Sequence, residues 1–73
     1  MAKMENRNKE KIISEFEMMK EFELSVKALY IKIINSPDVK EQKIKDILTK
    51  IADDEQRHSE LVQKIIDIAT DAL

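Results

Sequence analysis

The chain has 73 residues, no cysteine and no glycine, and its 13 basic and 15 acidic side chains give a net charge of −2. A chain this short forms at most one small domain, and without cysteine it has no disulfide to stabilise its core. The balanced charge excludes the strongly positive field that holds nucleic acid or a membrane surface. We expect a cytoplasmic protein, because the start MAKMENRNKEK lacks the apolar stretch of a signal peptide and no apolar run could span a membrane.

The only strong interruption of helical sequence is NSPD at residues 35–38, where Pro37 disfavours helical geometry at Ser36. The sequence therefore predicts a single helical-hairpin domain over residues 1–73. The first helix is expected at about 8–35, the turn at about 35–41 and the second helix at about 41–71.

Along the first predicted helix, side chains of one face recur at spacings of three and four residues. This row consists of Ile12, Phe16, Met19, Glu23, Val26, Tyr30 and Ile33. It is apolar apart from Glu23 and Tyr30. Phe22 and Leu29 lie beside the row and widen the apolar face.

The second predicted helix carries a corresponding row at the same spacings. It consists of Ile44, Leu48, Ile51, Glu55, His58, Val62, Ile65 and Ala69. Two ionisable residues, Glu55 and the only histidine of the chain, His58, interrupt it. Ile47, Leu61 and Ile68 widen this face in the same way.

Two antiparallel helices with broad apolar faces leave those faces open to water, so a second hairpin must cover them. The expected fold is all-α: an antiparallel two-helix hairpin that dimerises with two-fold symmetry into a four-helix bundle. A homodimer is thus the predicted partner state, and a higher oligomer is also compatible with the pattern.

Glu23, Glu55 and His58 are the strongly ionisable residues in the two rows, and they lie at matching depth. The midpoint of Glu23 and Glu55 is residue 39, inside the predicted turn. Burial of unpaired carboxylates costs several kcal/mol each, and a dimer would collect four carboxylates and two imidazoles. A pair of metal ions would neutralise these charges, and a Glu and a His at i and i+3 can reach one ion together.

Residues 54–58, DEQRH, resemble the D-E-x-R-H form of the E-x-x-H signature of di-iron carboxylate proteins. Glu23, followed by Tyr30 seven residues later, is similar to the first metal-ligand helix of rubrerythrins. From residue 12 to about 70 the chain resembles one half of a ferritin-like four-helix bundle. The second half is missing, and dimerisation would restore it, as in the encapsulated ferritin-like proteins.

This resemblance implies that Glu23, Glu55 and His58 are the metal ligands of each chain. It also implies that Asp54 hydrogen-bonds the His58 nitrogen that does not touch metal, and that Arg57 pairs with an acidic group. Tyr30 would either hydrogen-bond a ligand carboxylate or act as a redox-active residue, and ordinary core packing of its ring is the alternative.

The ligand set implies two iron ions per dimer, with manganese or zinc as alternatives. The implied activity is oxidation of Fe²⁺ by peroxide or dioxygen. It would serve a rubrerythrin-like peroxidase with an external electron donor, or a ferroxidase, including one carried as encapsulated-ferritin-like cargo. A different class is a metal-free structural hairpin that dimerises, in which Glu55 and His58 only fix the register.

Overall fold

The computed structural model describes residues 5–73, and residues 1–4 of the predicted domain lie outside the described part. The described chain consists of two antiparallel helices without strands: α1 spans Asn6–Ile34 and α2 spans Gln42–Ala72. The predicted all-α hairpin is confirmed, and its helix bounds differ from the expected ones by at most two residues. No helix within residues 5–73 is long and apolar enough to cross a membrane.

The connection between the helices comprises residues 35–41. The backbone N–H of Asn35 donates to the Ile31 carbonyl at 3.0 Å and closes the last turn of α1. Pro37 follows two residues later and cannot continue the helix. α2 begins after Glu41, whose carboxylate accepts a hydrogen bond from the Lys43 backbone N–H at 3.4 Å.

The contact between α1 and α2 is formed around small side chains of α2. The buried residues of the described chain all belong to α2, and they are Ala52, Ser59, Val62, Ile66 and Ala69. Ala52 and Ser59 are only 4% and 2% exposed. The row that contains these five residues therefore faces α1.

The predicted row of α2 divides in the hairpin. Val62 and Ala69 of this row are buried, whereas Ile44, His58 and Ile65 are exposed, as expected of faces that a single hairpin leaves open to water. They lie beside the row of Ala52 and Ser59 instead of on it. The row that the sequence pattern marks as apolar therefore faces outward at these positions.

Ten large apolar side chains form one exposed face of the hairpin, which we call the outward face. They are Met18, Met19, Phe22, Leu29 and Ile33 of α1, and Ile44, Ile47, Leu61, Ile65 and Ile68 of α2. Each is between 43% and 68% exposed. Their spacing of three and four residues keeps them on one side of each helix.

The hairpin exposes more surface than a folded protein of its size normally does. Its accessible area is 5924 Å². A folded monomer of 8.5 kDa is expected to expose about 4,700 Å², so the surplus is about 1,200 Å². The molecule extends 56 × 16 × 10 Å, one helix diameter thick, so no second layer covers the outward face.

On the opposite edge of the hairpin, two lysines of α1 bind two glutamines of α2, and we call these pairs the polar clasp. Lys20 Nζ donates to Gln63 Oε1 and Lys27 Nζ donates to Gln56 Oε1, each at 2.6 Å. Both pairs are seven residues apart on each helix, so they fix one antiparallel register. Each glutamine amide also donates to a carboxylate one helical turn further along α2.

Candidate metal centre

The three residues predicted as metal ligands come together on the hairpin. Glu23 lies on α1, while Glu55 and His58 lie three residues apart on the facing side of α2. One ligand atom from each residue can be chosen so that all three atoms lie within 4.8 Å of one another. The antiparallel register of the two helices is what brings Glu23 opposite the pair on α2.

The distances in this cluster are close to those around a bound metal ion. His58 Nδ1 lies 3.7 Å from Glu23 Oε2. Metal–oxygen and metal–nitrogen distances of about 2.0–2.2 Å place two ligands of one ion between about 3 and 4.4 Å apart. Small rotations of the side chains would therefore let all three groups reach one ion, and the residues present fit a metal centre.

The carboxylates of the cluster form no ion pair with a lysine or arginine among residues 5–73. Among residues 5–73, the ion pairs are Arg57 with Asp54 and His58 with Glu23, and His58 contributes only when it is protonated. A divalent cation would supply the missing positive charge.

The cluster is open toward the outward face. The Glu23 side chain is 24% exposed and the His58 side chain 54% exposed. On α2, exposed apolar residues stand on both sides of the cluster, with Ile47 toward the turn and Leu61 toward the C-terminal end. Three ligand groups leave part of the coordination sphere of any ion free, and that free part would face away from the hairpin.

Asp54 and Arg57 differ in part from their expected roles. Arg57 Nη2 donates to Asp54 Oδ1, so Arg57 does pair with an acidic group, and that group is Asp54. Within residues 5–73 no hydrogen bond joins Asp54 to His58, which corrects that expectation for the single chain. The reason is geometric: the imidazole turns across the hairpin toward Glu23, while the guanidinium occupies the Asp54 carboxylate.

Tyr30 does not belong to the ligand cluster. It is partly buried on α1, seven residues after Glu23, which corresponds to about 10 Å along the helix axis. Its hydrogen-bonding or redox role stays a prediction.

A groove on α1 leads to the cluster. Its walls are Glu15, Met18, Met19, Phe22 and Glu23. Glu15, which is exposed, borders this groove. A second groove, at the open end of the hairpin, is lined by Ile65, Ile68, Ala69, Ala72 and Leu73.

The residues of the polar clasp were not anticipated from the sequence. Lys20 and Lys27 lie seven residues apart on α1, as do Gln56 and Gln63 on α2, and this shared heptad spacing is the signal that would have found them. They join α1 to α2 at two points of the same antiparallel register.

Comparisons of the chain with protein-family models, with curated proteins and with solved structures found no match. The ligand cluster and the outward face are therefore the two features of the chain that bear on its function.

Proposed function

We propose that two copies of the chain form a ferritin-like four-helix bundle that holds two iron ions between them and oxidises Fe²⁺ with peroxide or dioxygen in the cytoplasm. The observation that carries this proposal is the cluster of Glu23, Glu55 and His58, which lies open on the exposed outward face. In one chain, three ligand groups would leave part of the coordination sphere of an ion free, and the apolar outward face is exposed to water. A second copy would supply further ligands and cover this face.

The exposed area supports a second copy as the missing layer. Stable protein interfaces bury about 800 Å² per partner, and the hairpin has a surplus of about 1,200 Å². Five buried residues make a very small core, and chains below about 70–80 residues commonly gain stability by association. Burial of the outward face would supply the apolar core that the single hairpin lacks.

The charges and ligand types support two metal ions in that dimer. The two copies would contribute four carboxylates and two imidazoles. Two divalent cations would balance the four negative charges, which otherwise repel one another in a buried site. Carboxylate and imidazole ligands in this proportion occur in di-iron and di-manganese bundles, so iron is the proposed ion and manganese or zinc the alternatives.

Glu23, Glu55 and His58 of the two copies would hold two Fe²⁺, which would supply the two electrons that, with two protons, convert one hydrogen peroxide into two water molecules. With dioxygen as oxidant, the same two electrons and two protons yield one hydrogen peroxide. The Glu23 and Glu55 carboxylates would stabilise the higher charge of the ferric product, and neutral His58 would fix the position of each ion. A peroxidase would need an external electron donor to regenerate Fe²⁺, whereas a ferroxidase, including an encapsulated one, would release Fe³⁺ as product.

Metal analysis tests this function. Protein refolded with Fe²⁺ without oxygen and then desalted should retain about one iron per chain, and metal should raise its melting temperature, because an ion that binds only the folded state stabilises it. The Glu55→Ala and His58→Ala variants should each lose the iron. Glu21→Ala, which removes an exposed carboxylate of α1 outside the cluster, is the matched control and should keep it.

Retention of iron by both ligand variants would contradict the site, as would an equal melting temperature with and without metal. Stopped-flow oxidation of the iron-loaded protein by peroxide and by dioxygen then compares the two chemistries. A clear preference for dioxygen would exclude the rubrerythrin-like peroxidase.

A metal-free structural dimer is the second candidate function. It is favoured by the 3.7 Å approach of His58 to Glu23, which can become an ion pair without metal when the imidazole is protonated. This candidate predicts a dimer whose stability is the same with Fe²⁺ and with a chelator. The metal analysis therefore separates the two candidates directly.

A further inference from the structure

Met18 and Met19 are neighbouring residues of α1 on the outward face. They are 65% and 52% exposed, so a small oxidant in solution can reach both of them in the single hairpin. The chain has no cysteine, and its other two methionines, Met1 and Met4, lie outside the described residues. Met18 and Met19 therefore carry the only sulfur atoms within residues 5–73.

The two methionines line the groove that leads to the ligand cluster. The walls of this groove also include Phe22 and Glu23, one of the predicted metal ligands. Met19 precedes Glu23 by four residues and Met18 precedes it by five, which corresponds to about 6 Å and about 7.5 Å along the helix axis. Under the proposed function, hydrogen peroxide is consumed or released at this cluster. The two thioethers thus lie close to the place where peroxide would react.

Hydrogen peroxide converts a methionine thioether into a sulfoxide without any further reagent. A sulfur lone pair bonds to one peroxide oxygen, the O–O bond breaks, and the departing hydroxide takes the proton of the transferred oxygen to become water. The sulfur loses two electrons, and the peroxide gains them. The reaction turns a flexible apolar side chain into a polar one, and methionine sulfoxide reductases reverse it.

Sulfoxides at these two positions would oppose the burial of the outward face. A sulfoxide oxygen accepts hydrogen bonds, but its neighbours in the groove are the Phe22 ring and the carboxylates of Glu15 and Glu23, which donate none when ionised. The ten side chains of the outward face on a second copy are apolar and donate none either. A polar group buried without a hydrogen-bond partner destabilises the state that buries it.

We propose that Met18 and Met19 form a peroxide-sensitive modification site, at which oxidation of the two thioethers to sulfoxides prevents two outward faces from pairing. This inference rests on the proposed dimer and adds its regulation by the oxidant. A chain oxidised at this site loses the metal centre built from two copies, so it takes up less iron while peroxide is in excess. Reduction of the sulfoxides restores the apolar face and the dimer.

Sedimentation of oxidised and untreated protein tests this site. Metal-free chain at low concentration is treated with hydrogen peroxide, the peroxide is removed, and peptide mass spectrometry should show one added oxygen on each of Met18 and Met19. Both samples are then loaded with Zn²⁺, which is redox-inactive, and compared over a series of concentrations. Oxidation should raise the dissociation constant of the dimer about 100-fold, because four unpaired polar groups would be buried in each dimer. Methionine sulfoxide reductases should return this constant to its untreated value.

The Met18→Leu/Met19→Leu double variant is the matched control, because leucine and methionine have similar volumes and leucine has no sulfur. The variant keeps Met1 and Met4, so oxidation at those residues affects it and the unchanged chain alike. Its dimer should have the same dissociation constant before and after peroxide treatment.

Three results would overturn the modification site and leave the dimer standing: methionines that peroxide does not oxidise, an unchanged dissociation constant after oxidation, or an equal rise in the double variant. A rise that the reductases do not reverse would overturn the regulation, since it would mark permanent damage. An untreated zinc-loaded chain that stays monomeric would overturn the dimer itself, and with it both this inference and the proposed function.

Discussion

The polar clasp and the outward face lie on different sides of the hairpin and differ in whether their charged side chains have partners within the chain. In the polar clasp, Lys20 and Lys27 find their partners within the chain, at 2.6 Å from glutamine oxygens. On the outward face, Glu23 has only His58, at 3.7 Å, and Glu55 has no basic partner in an ion pair within residues 5–73. The clasp lysines are therefore paired within the single chain, whereas neither carboxylate of the ligand cluster forms an ion pair with a lysine or arginine among residues 5–73.

A charge introduced on the outward face should prevent dimerisation, and this is the largest effect that we predict. Leu61 is 50% exposed there, one helical turn from the cluster. In Leu61→Lys, dimerisation would bury an unpaired ammonium at a cost of several kcal/mol. We expect the variant to be monomeric in sedimentation experiments and to lose much of its helical circular dichroism on dilution.

The matched control for this change is Ala28→Lys, which adds the same side chain at an exposed position on the other side of α1. It should remain a dimer with unchanged helix content. A dimeric Leu61→Lys protein would mean that the outward face is not the interface.

A change in the polar clasp should have a smaller effect and leave metal binding intact. Lys27→Met keeps the apolar stem of the side chain and removes the hydrogen bond to Gln56. We expect the free energy of unfolding to fall by about 1 kcal/mol, the net value of one such hydrogen bond at a partly buried position. Urea unfolding at one fixed protein concentration measures it.

A double-mutant cycle with Gln56→Ala isolates the contact, because the double variant should lose less than the sum of the two single ones. The iron content of Lys27→Met should equal that of the unchanged protein. Loss of iron in this variant would show that the clasp and the cluster are not separate in function.

The helices and the turn could be predicted because their signals are local. Pro37 marks the end of α1, and the three-and-four spacing marks both helices. The grouping of Glu23 with Glu55 and His58 was also predictable, since equal distance from the turn places residues side by side in an antiparallel hairpin. The structure brings the three together as that reasoning requires.

The identity of the inner row of α2 could not be predicted in the same way. Helical periodicity marks an apolar face, but it does not tell which of two adjacent rows packs within the chain and which is left for another surface. In the structure Ala52, Ser59 and Ile66 are buried, whereas His58 and Ile65 are exposed, so the inner row contains both small and large side chains. Its identity depends on how α1 docks against α2, which helical periodicity alone does not fix.

The hydrogen-bond partner of Asp54 could not be predicted from the sequence either. Its spacing to His58 suits a hydrogen bond, but Arg57 lies one helical turn away on the same side and binds its carboxylate. Sequence spacing identifies possible partners of a side chain, whereas the competition among them depends on rotamers. The metal and the second copy, both predicted from the sequence, stay proposals.

Native mass spectrometry of protein loaded with Fe²⁺ under exclusion of oxygen tests the central claim most directly, because it reports chain number and metal number in one particle. We expect a dimer that carries two iron ions, with the monomer carrying none. A dimer without metal, or a monomer that holds iron with the affinity of the dimer, would contradict a metal centre built from two copies of Glu23, Glu55 and His58.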